Sequence, residues 1–165
     1  MDNPYERKFI LEEKEALKLL DSIHLEKAVD IQQFFHDGWK YRHGNEHYFA
    51  DNTYRNYYQR YMRYTDSNGN FKVSVEDVDA TEWNKLIENQ PIIHKIRTCG
   101  SFEGFDYDID QFLKPAKGLI MVEVTTSKEK LIYSYNPIFK CKEVTGDSAF
   151  SNENIIKGSL DYKEW

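Results

Sequence analysis

Two basic pairs, Lys40 with Arg42 and Lys95 with Arg97, are each spaced two residues apart. Glu6 with Lys8 and Asp108 with Asp110 repeat that spacing with acids, while Arg63 and Glu123 stand singly. Side chains alternate across a β-strand, so this spacing aims both members of a pair to one face. Lys and Arg offer only donors, and the Arg fork matches phosphate oxygens. Carboxylates are the hard oxygen ligands that a divalent cation prefers. If the pairs share one enclosed face, the bases repel one another unless carboxylates offset them or an anion sits among them. A polyphosphate is the natural guest. The plain alternative is the wet side of an antiparallel sheet. A wet side does not need paired bases on separate strands. Nor does it need Tyr41, Ile96 and Ile109 between the charges, which give each strand something to bury.

The elements that must position these residues follow from composition and pattern. The chain has 165 residues, 40% hydrophobic and 30% charged, which suits a single globular domain over 1–165. Twelve Tyr and ten Phe favour β-structure. The net charge of −6 argues against general affinity for nucleic acid or an anionic membrane. Cys99 and Cys141 are too few for a disulfide framework, and no apolar run is long enough to span a bilayer. Met1-Asp2-Asn3-Pro4 is no signal peptide, so a cytoplasmic location is expected.

In chain order, a first strand at 4–9 precedes a helix over 12–22 with Ala16, Leu19, Leu20 and Ile23 on one stripe. Strands follow at 29–35 and 39–43, separated by Asp37-Gly38, with Gly44-Asn45 expected to close the second. The run 54–64 has Tyr at helical spacing, but the Asp66-Ser67-Asn68-Gly69 turn after it favours a strand, at least from Tyr57. A partner strand carries Phe71, Val73 and Val75 in alternation. Asp79 with Glu82 three residues on reads as the capped start of a helix ending before Pro91. Strands at 92–97, 105–112 and 119–125 come next, with Cys99-Gly100-Ser101 read as a turn. A short helix is expected over 127–133, turns over 143–147 and a last helical turn at 152–156. These elements fit an α+β, mainly β domain: a closed antiparallel β-barrel of about eight strands, helices outside and charges in the lumen.

In order and spacing, the charged strands resemble the CYTH, or triphosphate tunnel metalloenzyme, superfamily over nearly the whole chain. Glu6-Arg7-Lys8-Phe9 is similar to the second half of its opening Glu-x-Glu-x-Lys signature. Gln33 and then Lys40-Tyr41-Arg42 resemble its glutamine and Arg-x-Arg strand, and Arg63 stands where the family has a lysine. Lys95-Ile96-Arg97, Tyr107 to Phe112, Val122-Glu123-Val124 and Glu143 to Asp147 resemble its later motifs. The resemblance implies a tunnel in which Lys8, Lys40, Arg42, Arg63, Lys95 and Arg97 hold a triphosphate. It also implies Mg²⁺ or Mn²⁺ held by glutamates. Glu6 and Glu123, with Asp110 and Glu76, are the carboxylates left for that metal, and Glu6 and Glu123 are the catalytic candidates. Members hydrolyse inorganic triphosphate, thiamine triphosphate, nucleoside triphosphates or RNA 5′ ends, and others cyclise ATP.

Departures from the pattern shape the functional expectation. Pro4 and Thr125 stand where the resemblance expects glutamates, and Lys72, Ser74 and Glu76 replace an Arg-x-Glu-x-Glu strand, its register open by one residue. No base follows at Ser148-Ala149-Phe150. The bases survive better than the metal carboxylates. The expectation is therefore a protein that binds a nucleotide or inorganic polyphosphate with weak or no hydrolysis. A metal-dependent triphosphatase is the alternative, and an interaction protein using its Tyr-rich strand is a third reading. Asp106-x-Asp108-x-Asp110 starts like a calcium loop, but Gln111 and Lys117 stand at its required glycine and closing acid. The five His lack metal-ligand spacing. The Tyr/Arg run fits packing and cation–π contact better than base stacking.

Overall fold

Long alternating strands carry most of the chain in the computed structural model, which describes residues 6–126 and 132–160. In order they are β1 (Glu6–Ile10), α1 (Glu13–Ser22), β2 (His24–His36), β3 (Trp39–Tyr48), β4 (Thr53–Thr65), β5 (Phe71–Asp77) and α2 (Ala80–Ile87). Then come β6 (Ile93–Phe102), β7 (Phe105–Lys114), β8 (Ile120–Thr125), β9 (Lys142–Glu143), a 3₁₀ turn (Ser148–Phe150) and α3 (Asn152–Ile155). Pro4 and the start of the helix expected over 127–133 lie outside the described residues. Among the described residues, no helix is long and apolar enough to cross a membrane.

All nine strands form one antiparallel sheet in the order β5-β4-β3-β2-β6-β7-β8-β1-β9. The expected closed barrel is not formed: β5 and β9 are the outer strands and do not pair among the described residues. The reason is local. β9 has two residues, paired with Phe9 and Ile10 of β1, and leaves no ladder on which the seven-residue β5 could close. The sheet is nevertheless strongly curled. Lys8 of β1 and Arg63 of β4 line one cavity, although a flat sheet would hold strands six places apart by about 29 Å. The fold is a trough.

Three apolar clusters shape it. On the outer face of β7, β8 and β1, α1 buries Ala16 and Leu19 against Phe9, Tyr107, Val122 and Val124. On the outer face of β2 and β3, Trp83 of α2 packs on Phe34 and Tyr41. The α2 cap is as expected: Asp79 Oδ1 accepts from the Thr81 backbone N–H at 2.7 Å. The third cluster is internal. Phe150 and Ile155, from the 3₁₀ turn and α3, meet Ile10, Phe112 and Met121 inside the trough. That helix therefore plugs one end instead of lying outside.

Two glycines expected to mark strand ends are mid-strand. Gly44 lies within β3 because the Tyr57 ring occupies its side-chain space; a Cβ there would lie 2.3 Å from Tyr57 Cζ. Gly100 lies within β6, where a Cβ would lie 2.6 Å from the His24 carbonyl oxygen beside a bulge in β2. The turn expected at Cys99-Gly100-Ser101 instead falls at Glu103-Gly104, both at positive φ.

Candidate functional site

Register carries the charged pairs onto one side. Directly opposed residues of an antiparallel pair share a face. Lys40 lies opposite Tyr61, and Arg42 opposite Gln33. Lys95 lies opposite Ile31, and Arg97 opposite Val29 and Asp110. Glu123 lies opposite both Asp108 and Lys8. With Glu6 and Arg63 two residues along from Lys8 and Tyr61, these side chains line the inside of the trough.

Glu76 is the exception. It lies opposite Arg60 on the outer face, where Arg60 Nε donates to Glu76 Oε2 at 2.8 Å. The trough positions of β5 belong to Val73 and Val75, opposite Arg63 and Tyr61. The one-residue freedom in register resolves against the glutamate, so Glu76 is not brought to the other acids.

Asp110 is buried and fully engaged. It accepts from Lys95 Nζ at 2.8 Å and from Arg97 Nε and Nη2 at 2.7 and 2.9 Å. Burial opposes its charge, but Arg97 and Lys95 hold its carboxyl well below the usual range. Asp110 thus anchors two bases instead of standing open to a metal. Burial lowers the Lys95 pKa to about 8, with Asp110 offsetting part of the cost.

Among the described residues, Lys40 and Arg42 have no such carboxylate. Both lie over the Tyr61 ring, at 5.6 and 5.2 Å from its centroid. Burial, then repulsion from Arg42, Arg63, Lys95 and Arg97, pushes Lys40 well below its ordinary pKa. Among the described residues, Arg42 Nε and Gln33 Nε2 are buried without a hydrogen-bond partner. Buried donors of this kind call for an acceptor. A phosphate oxygen would supply it and relieve the repulsion among the bases.

Glu6 and Glu123 make the complementary feature. Burial, then the neighbouring Glu123, pushes the Glu6 carboxyl up to about 8, while Lys8 at 3.7 Å and Arg63 act the other way. Burial also works against Glu123, but Arg97, Lys8 and Lys95 outweigh it and lower its pKa. The Glu123 charge thus favours the protonated form of the neighbouring Glu6. A divalent cation can take that proton's place. Among the described residues, no three His, Cys, Asp or Glu group into a metal site, and Thr125 lies opposite Glu6. Two carboxylates still fit Mg²⁺, which commonly uses one or two plus waters and substrate phosphates.

A cavity of about 190 Å³ lies among Lys8, Lys40, Tyr61, Arg63 and Glu123, with Ser151, Asn152 and Glu153 at one side. Arg42 and Arg97 border a second, of about 380 Å³, lined also by Lys27, Glu46, Tyr57 and Asp108. Tyr61 and Asn152 are site residues that the charge pattern alone does not select. Tyr61 comes into the site through register, opposite Lys40 and two residues from Arg63. Asn152, with Oδ1 3.4 Å from Lys95 Nζ, comes from the plug and carries no local signal.

No family model matches the chain. An inorganic triphosphatase of Acetivibrio thermocellus is 32% identical over 92 residues, which is 53% of this chain and 58% of that protein. The match thus spans little more than half the relative's length. Two crystal structures of NE1496, described in one as a hypothetical protein and in the other as an inorganic triphosphatase, share this fold. Their TM-scores are 0.58 and 0.61 at 21% and 20% identity, covering 92% and 94% of this chain and 95% of each of theirs. With its curled sheet and inward-facing bases, the chain shares the fold of the NE1496 structures.

Proposed function

We propose that this chain is a divalent-metal-dependent triphosphatase acting on inorganic triphosphate or nucleoside triphosphates. The observation that carries the reading is one curled face on which, among the described residues, Lys40 and Arg42 lack carboxylate partners while Glu6 and Glu123 lie together nearby. Lys8, Lys40, Arg42 and Arg63 bind the phosphate oxygens. Lys95 and Arg97, held rigid by Asp110, complete the basic wall. Gln33 Nε2 donates to the bound chain of phosphates. Glu6 and Glu123 would hold Mg²⁺ or Mn²⁺, which when bound polarises the phosphoryl oxygens and positions a water. Burial of the trough strengthens each of these contacts relative to water.

Binding with little hydrolysis, favoured from the sequence, has less support than turnover. The Acetivibrio relative is named as a triphosphatase, and a two-carboxylate set lies within what Mg²⁺ uses. The test is phosphate release from tripolyphosphate and from nucleoside triphosphates with Mn²⁺ or Mg²⁺. Turnover is expected, abolished by chelation and by Glu123→Ala. Thermal stabilisation by tripolyphosphate with no phosphate released under any divalent metal would return the reading to a binding protein.

A further inference from the structure

We propose that two copies of this chain join edge to edge through β5, each sheet continuing antiparallel into the other about a two-fold axis at Ser74. β5 is an outer strand of seven residues with neither Pro nor Gly. Val73 and Val75 are 45% and 51% exposed although their side chains lie on the trough face. Such an edge, unpaired among the described residues, is usually blunted by Pro, bulges or inward charges. β5 instead carries a charge pattern that complements itself.

The backbone sets the first condition. Asp66 N donates to Asn70 O, and Val78 N donates to Tyr58 O, each at 2.9 Å. These bonds bracket the β4–β5 ladder. The alternation of an antiparallel pair then turns the N–H and C=O groups of Lys72, Ser74 and Glu76 toward β4. Those of Phe71, Val73, Val75 and Asp77 point off the edge. With Ser74 opposite the partner's Ser74, Val73 meets the partner's Val75 and Phe71 meets the partner's Asp77. Every outward group then faces an outward group, giving about eight backbone hydrogen bonds.

Side chains set the second condition and select the register. The Ser74-centred pairing places Lys72 opposite the partner's Glu76, and the two-fold axis repeats that contact. Val73 and Val75 cover one another on the trough face. Centring on Val73 would set Lys72 against serine and lose both charge pairs. Centring on Val75 would set Val73 against aspartate. Glu76 keeps its ion pair with Arg60, and Lys72 lies near Asp66, so the new contacts add to attractions already present. Because Val73 and Val75 stand opposite Arg63 and Tyr61, the partner's strand continues the trough wall next to the phosphate-facing cavity. The inference is independent of whether the site hydrolyses anything.

Sedimentation velocity on the full chain over a micromolar concentration series tests it. The unmodified chain is expected to dimerise. Lys72→Glu and Glu76→Lys each set like charges across the axis twice and weaken dimerisation by about tenfold. An equimolar mixture of those two variants, one presenting acids and the other bases, restores the dimer. Val75→Pro removes an N–H that points away from β4, so it leaves the monomer's ladder intact and abolishes the dimer. Circular dichroism melts confirm that each variant is folded. A chain that stays monomeric throughout overturns the proposal. So does a dimer that survives both Lys72→Glu and Val75→Pro, or a mixture that fails to reassociate.

Discussion

Asp110 is the residue on which the basic wall depends. It is 1% exposed and neutralises Lys95, at 0% exposed, together with Arg97. Asp110→Ala leaves buried cations uncompensated and is expected to cost about 3–5 kcal/mol, read from urea denaturation. Glu6 gives a pH signature of its own. Its carboxyl titrates at about 8 in the folded protein against an ordinary value of 4.5. The folded state thus keeps a proton that the unfolded chain releases. Its contribution is full below pH 4.5 and is lost as pH rises through about 8. Thermal melts without divalent metal should show that decline, and Glu6→Gln should flatten it. If Glu6→Gln melts with the same pH slope as the unmodified chain, the upward shift of the Glu6 carboxyl is misassigned.

At the scale of elements, two glycines distinguish a hard contact from a soft one. A methyl group at Gly100 meets the His24 carbonyl, which is backbone at a bulge and cannot yield without breaking the β2–β6 ladder. Gly100→Ala should destabilise by about 1–3 kcal/mol, as overpacking does. A methyl group at Gly44 meets only the far end of the Tyr57 ring, which can swing aside. Gly44→Ala should therefore cost less in a thermal melt while displacing Tyr57 from the larger cavity, which it lines. Equal costs at the two positions would contradict the distinction between backbone and ring contacts.

For the molecule as a whole, net charge and local charge point in opposite directions. The chain carries −6 overall, yet the trough gathers Lys8, Lys40, Arg42, Arg63, Lys95 and Arg97 on one face. Tripolyphosphate should raise the melting temperature by mass action. The shift should shrink as salt rises from low ionic strength toward about 0.5 M, where charges are screened beyond a few ångströms. Adventitious binding to a surface lysine would lose its effect at much lower salt, and Lys40→Ala would leave it intact.

Much of the site was legible along the chain because alternation in a strand is local. Two-residue spacing placed Lys40 with Arg42, Lys95 with Arg97 and Glu6 with Lys8 on common faces, and the fold keeps all three pairs together. The α2 cap was legible for the same reason, since Asp79 reaches only as far as Thr81. Long-range partners were not. Nothing near Asp110 in sequence announces that Lys95 and Arg97 will use up its oxygens, and nothing near Glu76 tells on which face its strand will register. Whether the sheet closes depends on the length of the last strand and on what fills the trough. Here two residues of β9 and the packing of Phe150 and Ile155 leave the edge of β5 unpaired among the described residues. Periodicity assigns a side chain to a face. Only the curl of the sheet decides which faces meet, because that depends on packing between residues far apart in the chain.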